Sequence, residues 1–194
     1  MTPTAETRTV LYTGDELNDV LDQMAADLAS LVRANTHVTL VGVLRRGAPL
    51  SDLLRERLTV RLPGLAVERL DLAIKRYADD LSLLHPQTQL TEKPEHAGID
   101  LSGRTVVVVD DLLYRGFSLN RAVEYLVAKG AERIISVVLA DRVCAVLPLR
   151  ADVAGLELQV APGRIVEFQV PPYEPTFQLV LVSPEPSPGP GQPG

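Results

Sequence analysis

Apolar residues near the start of the chain recur at three- and four-residue steps, then close up into an unbroken run. Leu17, Val20, Leu21, Met24, Leu28, Leu31 and Val32 trace one face of a helix. Thr13-Gly14-Asp15-Glu16 stands just before them in the Ser/Thr-x-x-Glu form of a capping box, which predicts where that helix begins. VTLVGVL, residues 38–44, is continuous and rich in β-branched side chains, the pattern of a strand buried on both faces. It stops at Arg45-Arg46-Gly47, and SDLLRERL, residues 51–58, predicts a second helix. LAVERLDLAI, residues 65–74, alternates as a strand does. Between Tyr77 and Gly98 the chain turns polar, holds two prolines and keeps no sustained period, which predicts a long loop with room for a hairpin. Loops of that length in a compact domain are usually functional or mobile.

Order returns with TVVVV (105–109) as a strand, residues 119–129 as a helix and RIISVVLA (133–140) as a strand. Strands and helices that alternate through short links predict an α/β fold, a doubly wound parallel sheet. RIVEFQV (164–170) and FQLVLV (177–182) read as late strands. Residues 1–8 read as a loose arm and 9–182 as a single domain. The proline- and glycine-rich stretch 183–194 reads as a disordered tail that cannot bury enough apolar surface to order itself.

Composition narrows the possibilities. The chain has 194 residues, 46% of them apolar, enough for one domain with a real core. A net charge of −6 argues against indiscriminate binding to nucleic acid or anionic membrane, though not against a local basic patch. The single Cys144 excludes an intramolecular disulfide and a cysteine-only metal site and fits a reducing cytoplasm. His37, His85 and His96 lack metal-ligand spacing. The polar N-terminus, with Glu6, does not read as a signal peptide, and no apolar run approaches the ~20 residues needed to span a bilayer. A soluble cytoplasmic protein is expected.

Two predicted strand ends carry polar clusters, and in open parallel sheets ligands bind beyond the carboxyl ends of the strands. Arg45-Arg46-Gly47 follows the first buried strand, and arginines suit phosphate or pyrophosphate. Asp110-Asp111 ends the most hydrophobic strand, where repulsion and desolvation make two like charges a poor choice for stability alone. Leu-Tyr-Arg-Gly-Phe-Ser, residues 113–118, leads into a helix whose first amides suit an anion. Carboxylates beside a phosphate loop fit sugar hydroxyls with Mg²⁺ nearby. The inventory asks for a sugar carrying phosphates at two ends. The plainer alternatives are an acidic pair at a helix start for Asp110-Asp111 and solvated surface charges for Arg45-Arg46 and Lys75-Arg76.

VVVVDDLLYRGFS, residues 106–118, resembles the phosphoribosyl-pyrophosphate (PRPP) motif of type I phosphoribosyltransferases: four apolar residues, two acids, then a phosphate loop. The tyrosine in DDLLY resembles the PyrR branch, which combines uracil phosphoribosyltransferase with pyrimidine-operon attenuation. LVGVLRRGAPLSDLL is similar to that family's pyrophosphate-loop segment, LDLAIKRYADDLS to the strand entering its flexible loop, and LADR with LPLRADVAG to the segment near the base, so the resemblance covers roughly residues 10–155. It implies a doubly wound parallel sheet with a flexible loop and a small hood region. It further implies that Asp110 and Asp111 bond the ribose hydroxyls and serve Mg²⁺ indirectly, through PRPP and water. Leu112, Leu113, Tyr114, Arg115, Gly116, Phe117 and Ser118 would hold the 5′-phosphate. Arg45, Arg46 and Gly47 would hold pyrophosphate, often through a non-proline cis peptide, and Arg76 would reach it from the flexible-loop stem. Asp110, Asp111 and Arg76 are thus the implied catalytic residues, while Arg142, Val153 and Ala154 lie where the base should stack. A homo-oligomer, dimer or higher, is expected.

The chain departs from that pattern in two places. The phosphate loop, normally Thr-Gly-x-Thr, is Arg115-Gly116-Phe117-Ser118 here, so Arg115 either pairs with phosphate or blocks the cup. The base stretch lacks the family's lysine and asparagine and has Ala154-Gly155-Leu156-Glu157-Leu158 instead. Two functions are therefore carried forward. One is a Mg²⁺-dependent transferase joining PRPP to a pyrimidine, with uracil the first choice. The other is a weakly active or inactive regulator that senses PRPP or a nucleotide and binds RNA. RNA needs a cationic face, and although Arg57 and Arg61 share a helix side, Arg55 points elsewhere and Glu56 sits between Arg55 and Arg57, which counts against it.

Overall fold

The structure, a computed structural model, describes residues 6–75, 89–91 and 98–184. Strand β1 (Glu6–Tyr12) leads into helix α1 (Gly14–Val32), strand β2 (His37–Val43), helix α2 (Gly47–Arg61) and strand β3 (Ala66–Lys75). The short strand β4 (Gln89–Thr91) precedes β5 (Thr105–Leu113), helix α3 (Phe117–Ala128), β6 (Arg133–Asp141) and β7 (Val153–Glu157). Strands β8 (Ile165–Gln169) and β9 (Gln178–Pro184) close the order.

The main sheet runs β4-β3-β2-β5-β6-β7. Its β3-β2-β5-β6-β7 part is parallel, and β4 lies antiparallel on β3, so the polar stretch after Tyr77 does return to the sheet edge. The chain winds one way from β2 through α2 to β3 and the other way from β5 through α3 to β6. The switch point therefore falls between β2 and β5.

Alternation along β5 builds both layers. Val107 and Val109 pack with α1 and α2 through Leu17, Leu21, Leu50 and Leu54. Val106 and Val108 pack with α3 through Leu119, Ala122 and Leu126. A continuous valine run is what a strand covered on both faces requires. Helix α1 starts as the sequence predicts, with Thr13 and Glu16 forming a full capping box.

Two expectations are corrected. Glu6, Thr7 and Arg8, read as loose arm, belong to β1, which pairs antiparallel with β9, while β8 completes a second sheet of order β1-β9-β8. Ser183 and Pro184, read as tail, pair there with Thr7 and Glu6. Residues Glu6 to Leu11 leave their side chains exposed, so no apolar period announced a strand held by backbone bonds to a segment at the far end of the chain. Val153–Glu157 is the outer parallel strand of the main sheet. The predicted flexible-loop stem at Arg76 and the tail beyond Pro184 lie outside the described residues. Among the described residues no helix is long and apolar enough to cross a membrane.

Candidate active site

Both polar strand ends meet at the switch point. Gly47 opens α2 directly against the middle of β5, where the acid pair begins: a Cβ there would run into the Val109 carbonyl oxygen and stand 3.2 Å from the Cα of Asp110. Only a residue without a side chain lets the arginine loop approach so closely. The Leu44–Arg45 peptide in that loop is cis, as the resemblance implied.

Asp110 and Asp111 are buried, 4% and 7% exposed. The Asp111 amide donates to Asp110 Oδ1 at 2.8 Å. Arg46 Nη1 lies 3.7 Å from Asp111 Oδ2, so one arginine of the loop faces the acid pair. Its fork is also taken by Glu174, with Nη2 donating to Oε1 at 2.7 Å and Nε to Oε2 at 3.3 Å. Burial opposes ionisation of Glu174, but the Arg46 hydrogen bonds, the Val170 amide and the charges of Arg46 and Arg45 together hold its carboxyl below the usual value. Arg45 is exposed and lies over the Tyr173 ring, 4.9 Å from its centroid. Tyr173 and Glu174 were not singled out in the sequence. The only signal was a carboxylate following Pro171-Pro172.

Behind the loop, Arg69 on β3 fixes the start of α2. It donates to both carboxylate oxygens of Asp52, at 2.9 and 3.0 Å, to the Ala48 carbonyl at 2.6 Å, and to Asp71. Arg69 thus holds the second residue of α2, next to Gly47, in place.

The phosphate-loop segment is shorter than the expected Leu112–Ser118. Leu112 and Leu113 continue β5 and place their side chains in opposite layers, Leu112 against the α1 side and Leu113 in the α3 core. Phe117 and Ser118 already belong to the first turn of α3. Tyr114, Arg115 and Gly116 make the turn, and Gly116 has φ +88°, a left-handed conformation suited to glycine. Arg115 is exposed, with its guanidinium over the Phe117 ring at 5.5 Å, so two side chains of the altered loop pack on each other. The Val146 amide donates to the Arg115 carbonyl, which straps the following loop over the turn.

Arg142 follows β6 and stacks over Tyr114 at 5.3 Å, while its Nε is buried without a hydrogen-bond partner. Val153 is buried and Ala154 exposed, and the register sets Ala154 opposite Val138, itself opposite Asp110. Ala154 is therefore level with the acid pair but two strands, about 10 Å, away. Arg142 stands beyond Asp141, about four residues further along.

The helix starts divide by charge. Helix α1 carries a side-chain cap and two acids in its first turn. Helices α2 and α3, which begin beside the acid pair, have neither a side-chain cap nor a first-turn acid. Their first amides remain without those internal partners, and the helix dipoles favour anions there. Among the described residues no three His, Cys, Asp or Glu side chains gather into a metal-ligating group.

The phosphoribosyl transferase domain model matches residues 11–174. The chain belongs to the phosphoribosyl transferase domain family. The match extends past the resemblance read from sequence to include Tyr173 and Glu174. The chain is 33% identical over 183 residues to a "Bifunctional protein PyrR" from Deinococcus radiodurans, covering 94% of this chain and 98% of that protein. It is 32% identical over 170 residues to one from Elusimicrobium minutum, covering 87% and 93%. The fold is similar to that of a hypoxanthine phosphoribosyltransferase from Trypanosoma cruzi in complex with the product IMP, at a TM-score of 0.70, 17% identity, and 91% and 90% coverage. A hypoxanthine phosphoribosyltransferase from Staphylococcus aureus matches at 0.65, 16% identity, and 81% and 80% coverage. Phosphoribosyl transferase domains of this architecture thus set the frame for the acid pair and the two uncapped helices.

Proposed function

We propose that this chain transfers the phosphoribosyl group of PRPP to a pyrimidine base, uracil first, releasing pyrophosphate. The observation that carries this reading is the pair of uncapped, acid-free helix starts flanking Asp110 and Asp111. They supply two anion sites on either side of a hydroxyl-binding carboxylate pair, which matches a ribose with phosphate at one end and pyrophosphate at the other. In this assignment Asp110 and Asp111 accept hydrogen bonds from the ribose hydroxyls, the turn Tyr114–Gly116 with Phe117 and Ser118 receives the 5′-phosphate, and Arg45, Arg46 and Gly47 receive pyrophosphate. Arg76, outside the described residues, is assigned to pyrophosphate with them. The buried carboxylates are hard oxygen donors and fit Mg²⁺ held through PRPP and water. When bound, Mg²⁺ supplies charge neutralisation for the departing pyrophosphate. The rest of the work is positioning and electrostatics at C1′ as it takes on oxocarbenium character. Base contacts fall to Arg142 and the Val153-Ala154 backbone. The single exposed Cys144 agrees with a cytoplasmic setting.

A second reading, a PRPP- or nucleotide-sensing regulator with little turnover, draws support from Arg115 packed on Phe117 and from the altered stretch Ala154–Leu158. Titration of PRPP, uridylate and guanylate with and without Mg²⁺, beside an assay of uracil-dependent pyrophosphate release, separates the two. Mg²⁺-dependent PRPP binding with release on adding uracil is the expected result. Binding without release favours the regulator, and no PRPP binding would sink both.

A further inference from the structure

We infer that Glu174 is a built-in competitor for the pyrophosphate end of the substrate: its carboxylate occupies the fork of Arg46 and must be displaced before that arginine can take a phosphate. The inference rests on the assignment of Arg45 and Arg46 to pyrophosphate. Carboxylate and phosphate are recognised by the same two-pronged guanidinium geometry. Glu174 holds both prongs, at 2.7 and 3.3 Å. The pair is partly desolvated, with side-chain exposures of 34% for Arg46 and 20% for Glu174, so a ligand meets a formed contact and not two hydrated ions. Asp111 stands 3.7 Å from the same guanidinium, so two carboxylates already share one cation. Adding a polyanion to that group without moving Glu174 would set like charges against one another.

The contact is built on one self-contained turn. The Val170 amide donates to Glu174 Oε2 at 2.8 Å, and the Tyr173 and Glu174 amides both donate back to the Val170 carbonyl, at 3.1 and 3.3 Å. The neighbouring Tyr173 takes the other arginine of the loop by stacking under Arg45. Consecutive residues of the small sheet's connection therefore hold both pyrophosphate arginines. Once Arg46 leaves, Glu174 becomes a half-buried carboxylate without its cation, which is costly, so the turn shifts outward with it. Apparent affinity is then lowered by the fraction of molecules in which the fork is held.

Calorimetric titration of inorganic pyrophosphate, with Mg²⁺, into the full chain tests this. Glu174→Gln keeps the shape and the Val170 bond but removes the charge, and should bind pyrophosphate about tenfold more tightly than the parent. Glu167→Gln, which removes one charge from β8 in the same small sheet without touching Arg46, should match the parent. Affinity that is equal or weaker in Glu174→Gln while the parent binds overturns the inference and leaves the assignment of the arginines standing, because Glu174 would then be orienting Arg46 and not opposing the ligand. An equal gain in Glu167→Gln also overturns it, as a general charge effect. Absence of pyrophosphate binding in every folded protein overturns both the inference and the assignment. Hydrogen exchange on the parent covers the case in which the variant fails to fold. The amides of Val170, Tyr173, Glu174 and Thr176 should exchange faster when pyrophosphate is bound, whereas slower exchange there overturns the displaced turn.

Discussion

Gly47 touches β5 at Val109 and Asp110: the Val109 carbonyl occupies the space a Cβ would need, and the Asp110 Cα is 3.2 Å from the same point. This contact joins the arginine loop to the acid pair and sets their spacing. Gly47→Ala forces one of two backbones to move, since neither obstacle is the flexible end of a side chain. Overpacking of this kind costs about 1–3 kcal/mol, to be read from the urea midpoint. PRPP affinity should fall as well, because the loop is pushed off the carboxylates. Unaltered stability together with unaltered affinity would show that the contact does not set the site.

Asp110 and Asp111 test the ribose assignment itself. Replacing both with Asn keeps an acceptor for the Asp111 amide and relieves like-charge repulsion, so the melting temperature should hold or rise slightly. PRPP binding should weaken at least about a hundredfold, given the ~1.5–3 kcal/mol typical of each hydrogen bond to a charged group. Unchanged PRPP affinity in the folded double variant would remove the central claim.

Arg115 separates a working phosphate loop from a spoiled one. Its guanidinium lies over the Phe117 ring at the start of α3, and it stands at the sequence position where the resemblance has a threonine hydroxyl. Arg115→Thr restores that hydroxyl and should preserve or raise turnover with uracil. A large loss of nucleotide affinity would instead make the arginine itself an indispensable ligand, and activity appearing from zero would identify it as a block.

Much of the main sheet was legible because burial writes itself into apolar runs. VTLVGVL and TVVVV had to be strands covered on both sides, and they are. The small sheet was legible only in part. Ile165–Gln169 and Gln178–Pro184 carry enough apolar residues to read as strands, but β1 exposes its side chains and is specified by pairing with residues about 170 positions away. The acid pair and the arginine loop were readable as local clusters. What brings them together, the bare Cα of Gly47, is a close approach that a sequence does not announce. Glu174 was invisible for the same reason: its partner is 128 residues distant, and no local period couples a carboxylate in a proline-rich turn to an arginine after β2.

Asp52 gives the pH dependence a definite sign. Hydrogen bonding to Arg69 is the main influence, opposed by burial and reinforced by the charges of Arg69 and Arg55, and the carboxyl sits below its ordinary value. A carboxyl depressed in the folded state stabilises fully above its unfolded pKa, near 4, and that contribution is lost as pH falls through the lower, folded value. Melting temperature should therefore drop between about pH 5 and pH 3, and Asp52→Asn should show a shallower drop over the same window. Because Arg69 also holds the Ala48 carbonyl, the variant should in addition loosen the start of α2 and weaken pyrophosphate binding at neutral pH. Parallel acid profiles in the two proteins would rule out this linkage.

The basic residues of α2 decide between enzyme and RNA-binding regulator. Arg57 donates to Asp22 at 2.9 Å and to the Asn18 side chain at 2.8 Å, and Arg61 donates to the Asp22 carbonyl oxygen at 3.0 Å and stands 3.8 Å from its carboxylate. Arg55 lies 3.6 Å from Asp52. Each of these cations thus already faces an acid on α1 or on its own helix, and an RNA phosphate would have to displace it. Counterion release is the main source of nucleic-acid affinity, and a face whose charges are internally matched neutralises few phosphates and so releases few of the cations condensed on RNA. Titration with a pyrimidine-leader hairpin at two salt concentrations should therefore give weak binding with a shallow salt slope. Asp22→Asn, which unmasks Arg57 and Arg61 together, should strengthen binding and steepen the slope by up to about two phosphate contacts. Submicromolar affinity with a steep slope in the parent protein would mean that the pairs with Asp22 yield readily to phosphate, and it would move the chain into the regulator class.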